Sequence, residues 1–286
     1  LAGAARCLPE ASDVMKQSSP APSPSGPPVL ALHGFAGGPE TFDDLRANGA
    51  RWLCPSLAGH GPRPDTSASD FVAEVDRLAA WTRQQVDGPV RLLGYSMGAR
   101  VALGLCARHS LLFTDAVLVS VHPGLRELQQ RRERQLWEGR WVHLLETEGL
   151  AAFLQHWEEL PLFATQRDVD PARLERQRRM RQSHGAEGLA RALRVLGTGV
   201  MPDLWPALRQ IQIPVRLVVG ELDTKFVEVG RGAVEQLSRG RLDVIEATGH
   251  NVLLERPEAI RRLLDETSFV PADRPPEARS GGSAKA

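Results

Sequence analysis

The stretch Gly94-Tyr95-Ser96-Met97-Gly98 follows an apolar, strand-like run over residues 90–93 and leads into a helical run. A strand, a Gly-x-Ser-x-Gly turn and a helix in this order are typical of a nucleophile elbow, which holds a serine in a sharp turn with strained backbone angles. Side chains at Gly94 or Gly98 would collide with the neighbouring strand and helix. The pattern therefore predicts that the Ser96 hydroxyl stands above the edge of a sheet.

Strand-like and helical runs alternate on both sides of this turn. The predicted strands cover residues 29–32, 51–57, 90–93, 116–121, 215–220 and 242–247, and the predicted helices cover residues 70–86, 97–107, 227–237 and 257–264. Such alternation indicates a mainly parallel sheet flanked by helices, which is an α/β fold class.

The alternation stops between residues 123 and 206, where no strand pattern occurs and arginines are frequent. We expect this segment to be a helical lid, inserted after the strand that follows the elbow and lying over the carboxyl ends of the strands. Residues 29–122 and 207–266 then form the core. The Pro-, Ser- and Ala-rich composition of residues 1–28 predicts a disordered extension, and residues 267–286 a disordered tail.

The composition limits the possible partners. Lysine plus arginine and aspartate plus glutamate number 35 each, so no global field attracts nucleic acid or a membrane surface. Three cysteines, Cys7, Cys54 and Cys106, lack metal-ligand spacing and fit a reducing compartment. No apolar run approaches the roughly 20 residues of a membrane span, so we expect a cytoplasmic protein. Neither a cofactor nor a metal is expected, and the oligomeric state stays open.

Ser96 needs two partners for chemistry, because a serine hydroxyl is a poor nucleophile or base until a histidine accepts its proton and a carboxylate orients that histidine. Asp223 follows the fifth predicted strand and His250 follows the sixth, so both should lie at the same sheet edge as Ser96. The order serine, aspartate, histidine is that of α/β-hydrolases. Glu221 is the weaker candidate acid, and a helix N-cap is the alternative role for Asp223.

The run His33-Gly34-Phe35-Ala36-Gly37-Gly38 follows the first predicted strand, from which such folds supply one oxyanion-hole N–H. The residue after the nucleophile supplies the other, so the backbone amides of Phe35 and Met97 are the predicted donors. His33 is predicted to fix this loop by hydrogen bonding rather than to transfer protons. Gly59-His60-Gly61 is interpreted as a plain turn.

Together these residues resemble the α/β-hydrolase-fold lyases of menaquinone biosynthesis called 2-succinyl-6-hydroxy-2,4-cyclohexadiene-1-carboxylate (SHCHC) synthases, or MenH. The likeness extends from about residue 29 to residue 264. Its most specific parts are residues 94–100, 122–125, 132–135, 157–164, 220–226 and 249–251. The resemblance implies that pyruvate is eliminated from 2-succinyl-5-enolpyruvyl-6-hydroxy-3-cyclohexene-1-carboxylate. It also implies that the triad serine acts as a base on a ring proton while the oxyanion donors hold an enolate-like oxygen.

The implied partner is a small-molecule tricarboxylate, and arginine binds carboxylates through paired, charge-assisted hydrogen bonds. The resemblance assigns this role to Arg100, Arg134 and Arg181, and it places Tyr95 and Trp157 in the same pocket. The segment also contains Arg131, Arg132, Arg140, Arg173, Arg176, Arg178 and Arg179. Most of these seven are expected to form a solvated helix face.

Two other functions would use the same residues differently. A carboxylesterase, thioesterase or lactonase would use Ser96 as a true nucleophile, and fast turnover of a chromogenic short-chain ester would favour it. A ligand-binding protein without catalysis would need no general base, and tight binding without turnover would support it. The arginine-rich lid favours the lyase, because a hydrolase lid is normally more apolar.

Overall fold

A computed structural model describes residues 26–46, 49–65 and 67–266. Within these residues six strands form one sheet: β1 (Val29–Leu32), β2 (Trp52–Leu53), β3 (Val90–Tyr95), β4 (Phe113–Val119), β5 (Val215–Gly220) and β6 (Gly240–Ile245). Their order across the sheet is β2-β1-β3-β4-β5-β6, and each neighbouring pair is parallel. The predicted α/β fold with a parallel sheet is therefore confirmed.

The described residues form nine α-helices: α1 (Phe71–Gln85), α2 (Met97–His109), α3 (Leu128–Thr147), α4 (Gly149–Glu158), α5 (Pro171–Gln182), α6 (Ala186–Leu196), α7 (Thr224–Val234), α8 (Val252–Glu255) and α9 (Pro257–Asp265). Those outside the segment between β4 and β5 flank the two faces of the sheet. Alternate residues of β1 belong to different apolar clusters, as the period of two in a strand requires. Leu30 and Leu32 pack in the cluster that contains α1 and α2, whereas Val29 and Ala31 pack in the cluster that contains Ile260 of α9.

The helix α1 begins where the sequence predicts. The Asp70 carboxylate accepts the Ala73 N–H at 2.9 Å and caps the helix, and such a cap stabilises a helix by about 1 kcal/mol. Phe71, Val75 and Leu78 are buried on one side of the helix, because apolar residues at this spacing share a helix face.

Several elements differ from the predicted bounds by a few residues, such as β4, which begins at Phe113 rather than at residue 116, and β6, which begins at Gly240 rather than at residue 242. Two further differences have a clear reason or consequence. The strand expected over 51–57 is only Trp52–Leu53, since Pro55 has no N–H to donate to a ladder and the chain leaves the sheet edge there. The helix expected over 227–237 covers Thr224–Val234 instead. It begins directly after Asp223, and this brings its first turn to the edge of the sheet where the candidate site lies.

Between β4 and β5 the described chain forms α3 to α6, two 3-10 helices, Pro161–Asp168 and Trp205–Gln210, and no strand. Phe153 and Trp157 of α4 stack with ring centroids 5.3 Å apart and join the main apolar cluster. Residues 1–25 of the extension predicted over 1–28, and the whole tail predicted over 267–286, lie outside the described residues. None of the described helices combines the length and the apolar character that a membrane span needs.

Candidate active site

Ser96 occupies the turn between β3 and α2 with φ 50° and ψ −109°. A Cβ atom at Gly98 would lie 2.1 Å from the carbonyl oxygen of Leu32, and one at Gly94 would lie 2.7 Å from Cα of Ala99. The predicted reason for both glycines is confirmed, because neither contact leaves room for a side chain. The turn is further fixed by the Ser96 N–H, which donates to the Val119 carbonyl at 2.9 Å.

The structure brings Ser96, Asp223 and His250 together. His250 Nε2 is 3.0 Å from Ser96 Oγ, and His250 Nδ1 is 2.6 Å from Asp223 Oδ2. Because an ionised carboxylate can only accept, Nδ1 carries the proton and Nε2 is free to accept the serine hydroxyl. Asp223 stands at the N-cap position of α7, yet its side chain makes no capping hydrogen bond. The weaker candidate, Glu221, accepts the Ala247 N–H instead and lies apart from this arrangement.

Two residues that were not predicted from the sequence hold the His250 loop. Ser120 follows β4 with a left-handed φ of 52°, and its hydroxyl donates to the His250 carbonyl at 2.8 Å. Glu255 is 7% exposed; its carboxylate accepts the Gly249 N–H at 2.8 Å and the Thr165 hydroxyl at 3.1 Å. The only sequence signal for Ser120 was its place near the end of an apolar strand, and no sequence signal pointed to Glu255.

The predicted oxyanion donors lie beside the serine. Met97 is the first residue of α2, and the first N–H groups of a helix have no acceptor within the helix. The loop after β1 passes close to the elbow, because a Cβ atom on Gly34 would lie 3.6 Å from Cβ of Ser96. Phe35 follows in this loop and lines the same cavities as Ser96.

Two cavities meet at Ser96, and both also contact Phe35, Trp157, Leu162 and His250. We call them the Arg100 chamber, with a volume of about 280 Å³, and the Arg181 chamber, with a volume of about 100 Å³. The Arg100 chamber is lined in addition by Arg134, Lys225 and His122. The Arg181 chamber is lined in addition by Tyr95, Arg173, Arg176 and Met180.

Arg100 brings an incompletely satisfied cation into its chamber. It is 8% exposed, its Nη2 donates to the Leu196 carbonyl at 2.8 Å, and its buried Nε has no partner among the described residues. Burial lowers the pKa of Arg100 to about 10, with Arg134 adding to this effect and Glu138 opposing it. A buried donor without an acceptor is costly, so an anion in the chamber would be stabilised by this guanidinium.

Arg134 and Lys225 complete the charge of the Arg100 chamber. Arg134 Nε donates to Glu138 at 2.8 Å, and its guanidinium lies 4.2 Å from the Trp137 ring centroid. Lys225, on the first turn of α7, is exposed and forms no ion pair or hydrogen bond with any described residue. Lys225 was not predicted as a site residue, although it lies within residues 220–226, one of the parts that carry the family resemblance.

All three of these cations lower the pKa of His122. Its pKa is lowered to about 4, first by burial and then by Lys225, Arg100 and Arg134 in that order. Its Nδ1 accepts the Gly124 N–H at 3.1 Å, so the ring is held without a charge. Two carboxylates also line this chamber, but Glu138 is paired with Arg134 and Asp223 with His250. Arg100 and Lys225 therefore leave a positive cavity that opens onto the serine.

The cations of the Arg181 chamber are already paired. Arg181 donates to Glu158 at 2.9 Å and lies 5.1 Å from the Phe163 ring centroid. Arg173 and Arg176 both pair with Asp44, at 3.2 Å and 2.9 Å. Arg173 and Arg176 both line this chamber, and Arg176 is also exposed to solvent, so lining the chamber and belonging to a solvated face are compatible here.

Aromatic rings line the chambers, and Phe35 and Trp157 line both of them. Trp157, predicted as a pocket residue, lies 5.1 Å from the Phe35 ring and 6.0 Å from the Phe163 ring, measured between centroids. The Tyr95 ring lies 5.7 Å from the His250 ring. Burial raises the pKa of the Tyr95 phenol, so Tyr95 lines the Arg181 chamber as a neutral group.

The interpretation of Gly59-His60-Gly61 as a plain turn is incomplete. His60 is 1% exposed, and its Nε2 accepts the Ala36 N–H at 3.1 Å. His33 makes hydrogen bonds with Gly34 and Leu57, as predicted for a residue that fixes the loop. Among the described residues, no group of three or more His, Cys, Asp or Glu side chains is arranged to hold a metal ion.

Comparison with known proteins gives the family. The model described as the alpha/beta hydrolase family matches residues 29–263. A Bacillus subtilis (strain 168) protein named "Putative 2-succinyl-6-hydroxy-2,4-cyclohexadiene-1-carboxylate synthase" is 32% identical over 83% of this chain and 89% of its own length. A Salmonella enteritidis PT4 protein named "2-succinyl-6-hydroxy-2,4-cyclohexadiene-1-carboxylate synthase" is 30% identical over 83% of this chain and 92% of its own length.

Solved structures agree with this result. The structure described as MenH from S. aureus has a TM-score of 0.78 and 29% identity, covering 82% of this chain and 91% of that chain. An esterase from Thermogutta terrifontis has a TM-score of 0.71 over 85% of this chain and 89% of that chain, but its 23% identity shows the fold alone. This chain therefore belongs to the alpha/beta hydrolase family and, within it, to the 2-succinyl-6-hydroxy-2,4-cyclohexadiene-1-carboxylate synthases.

Proposed function

We propose that this protein is a lyase that eliminates pyruvate from 2-succinyl-5-enolpyruvyl-6-hydroxy-3-cyclohexene-1-carboxylate and releases SHCHC for menaquinone biosynthesis. The observation that carries the proposal is the junction at Ser96 of a serine-histidine-aspartate arrangement with a positive chamber. The curated relatives named as SHCHC synthases support it independently. A cytoplasmic location, inferred from the cysteine pattern, is part of the same proposal.

The bond changes define what the site must do. The precursor has one ring double bond, between carbons 3 and 4, whereas the product has two, between carbons 2 and 3 and between carbons 4 and 5. A proton therefore leaves carbon 2, and its bonding electrons form the first double bond of the product. The original pair moves to carbons 4 and 5, and the bond from carbon 5 to oxygen breaks. Its electrons depart with the enolpyruvyl group, which takes up a proton to become pyruvate.

In this scheme Ser96 is the base, and His250 and Asp223 activate it. His250 Nε2, 3.0 Å from Ser96 Oγ, accepts the hydroxyl proton, so that the oxygen can take the proton from carbon 2. Asp223 keeps the imidazole in the required tautomer and stabilises its positive charge. The proton leaves a carbon next to the succinyl ketone, so negative charge develops on the ketone oxygen. The Phe35 and Met97 N–H groups are the proposed donors to that oxygen.

The three carboxylates of the precursor are proposed to bind cations of the two chambers. Arg100 and Lys225 have donors that no described residue satisfies, so they are ready for an anion. Arg134 and Arg181 would share a substrate carboxylate with their partners, Glu138 and Glu158, or exchange those partners for it. Tyr95 and Trp157 would contact the ring and its substituents. In this proposal the helices between β4 and β5 act as the lid, since they supply Arg134, Trp157 and Arg181.

The test is incubation of the purified protein with the enolpyruvyl precursor while pyruvate release is followed. We expect release by the wild-type protein and none above background by Ser96→Ala. A chromogenic short-chain ester in a parallel assay separates the lyase from a hydrolase. Fast ester hydrolysis without pyruvate release would replace the proposal with the esterase, thioesterase or lactonase alternative.

A further inference from the structure

Two buried histidines hold the loop that carries Phe35, and the base chemistry proposed above uses neither of them. The His33 ring faces the Gly34 carbonyl through Nδ1 at 2.8 Å, and its Nε2 faces the Leu57 N–H at 3.1 Å. The His60 ring faces the Ala58 carbonyl through Nδ1 at 3.1 Å, and its Nε2 faces the Ala36 N–H at 3.1 Å. The two rings are in edge contact, with centroids 4.8 Å apart.

These contacts fix the proton on each ring. A carbonyl oxygen can only accept and an amide N–H can only donate, so in both histidines Nδ1 carries the proton and Nε2 accepts. Neither ring can carry a second proton without ejecting an amide N–H. Burial is the main reason that the pKa values of His33 and His60 lie below their usual range, which agrees with the neutral tautomer.

The His33 contact determines where the Phe35 N–H points. The Gly34 carbonyl accepts from His33 Nδ1 at 2.8 Å and from the Gly37 N–H at 3.0 Å. In a planar trans peptide the N–H is antiparallel to the C=O of the preceding residue. With the Gly34 carbonyl held on the His33 side, the Phe35 N–H is held on the opposite side.

The His60 contact fixes the next peptide. Ala36 has a left-handed φ of 54°, a conformation that is costly for a residue with a side chain and persists only where its surroundings impose it. The hydrogen bond from the Ala36 N–H to His60 Nε2 is such a constraint. His184, between α5 and α6, packs edge-on against the His60 ring, with the ring centroids 5.5 Å apart. Its Nδ1 accepts the Gly61 N–H at 2.9 Å. The His60 ring is thereby supported from the helical segment.

We propose that His33 and His60 are positioning residues that orient the Phe35 N–H toward the oxygen that becomes charged at Ser96. His33 sets the plane of the peptide that carries this N–H. His60 holds the strained turn at Ala36 that follows it. The inference rests on the proposed function, because it assumes that the Phe35 N–H serves as an oxyanion donor.

His60 offers the sharper test, since glutamine can place an accepting oxygen near the position of Nε2 whereas leucine cannot. We expect His60→Leu to lower kcat for pyruvate release about tenfold to a hundredfold, because removing one oxyanion donor costs up to about a thousandfold. KM should change by less than about threefold, since the lost interaction is made in the transition state. His60→Gln should recover most of kcat. His143→Leu, at an exposed position on α3, is the matched control and should leave kcat and KM unchanged.

A structural readout accompanies the kinetics. Hydrogen exchange of the Ala36 amide should be slow in the wild type and in His60→Gln, and faster in His60→Leu. A His60→Leu protein that loses thermal stability but keeps its kcat would overturn the inference, as would equal kcat values for the leucine and glutamine variants. If Ser96→Ala is inactive while His60→Leu is fully active, only the positioning role fails. If the wild type releases no pyruvate, the proposed function fails.

Discussion

The Asp223 carboxylate lies 2.6 Å from Nδ1 of His250, although Asp223 occupies a helix N-cap position at which an aspartate ordinarily accepts a backbone N–H. The Asp223 side chain does not cap the helix and instead orients the imidazole of His250. Stability given up in favour of a specific contact is typical of functional sites.

This relationship predicts that Asp223→Asn inactivates the enzyme without unfolding it. An amide at this position would favour the wrong imidazole tautomer, so we expect kcat to fall on the order of thousands-fold, as for Ser96→Ala and His250→Ala. Steady-state pyruvate release and thermal melting of each variant are the measurements. Glu221→Gln, which changes the other acid of the same loop, should retain nearly full activity. Near-native turnover by a folded Ser96→Ala protein would refute the role of Ser96 as base.

The cations of the chambers give a second prediction. Alanine at Arg100, Arg134 or Arg181, or methionine at Lys225, should reduce kcat/KM by about tenfold to a hundredfold. The reason is that a charge-assisted contact contributes roughly 1.5 to 3 kcal/mol. Arginine to lysine changes should recover only part of the loss, because a lysine cannot form the paired contact.

Two exposed arginines provide the control for these variants. Alanine at Arg132 on α3 and at Arg179 on α5 should change kcat/KM little, since exposed charges contribute almost nothing. Equal effects at all six positions would mean that the segment supplies only a diffuse positive field. In that case the assignment of individual cations to carboxylates would be lost.

The sequence predicted the sheet and the chain order of the triad because both follow from local rules. The apolar runs of β1 and β5 have the predicted bounds, and parallel strands bring the residues after them to one edge. Ser96, Asp223 and His250 therefore meet even though 154 residues separate the first from the last. The elbow glycines were equally predictable, because their requirement arises from steric contacts with the neighbouring strand β1 and with α2.

The lining of the chambers and the support of the loop after β1 depend on contacts between distant segments, which the spacing of residues in the sequence does not encode. The position of Arg173 and Arg176 at the Arg181 chamber depends on Asp44, which lies more than a hundred residues before its partner Arg176. His60 likewise had the local pattern of a turn, and only its burial against Ala36 gives it a structural role. Lys225 belongs to the chamber because α7 begins three residues earlier than the periodicity indicated.

Ser120 supports a third prediction. Ser120→Ala removes the 2.8 Å hydrogen bond to the His250 carbonyl and leaves that buried acceptor without its donor. We expect a fall in unfolding free energy of about 1 to 3 kcal/mol and a loss of kcat that is smaller than that of any triad variant. Urea unfolding and pyruvate release on the same samples test both parts. A loss of kcat as large as that of His250→Ala, with unchanged stability, would assign Ser120 a direct role in the reaction.

The buried histidines predict that the protein loses stability in mild acid. The pKa of His33 is lowered from 6.5 to about 4, mainly by burial. Between these two pH values the unfolded chain binds a proton that the folded chain does not, so stability falls as the pH decreases. Above pH 6.5 no stability is lost, and at pH 5 His33 alone should cost roughly 2 kcal/mol of unfolding free energy. The pKa values of His60 and His122 are also lowered, chiefly by burial, and add to the loss in the same direction.

Urea unfolding at a series of pH values from 8 to 5 measures how the unfolding free energy depends on pH. The variant His122→Asn separates the contribution of a buried histidine from that of the other titrating groups. The asparagine oxygen can accept the Gly124 N–H that His122 Nδ1 accepts, while the titrating ring is gone. The slope of unfolding free energy against pH should therefore be smaller in His122→Asn than in the wild type. His156→Asn removes a histidine that is more than half exposed and should leave the slope unchanged. Stability that stays constant or rises as the pH decreases from 7 to 5 would contradict the neutral, buried state of these rings.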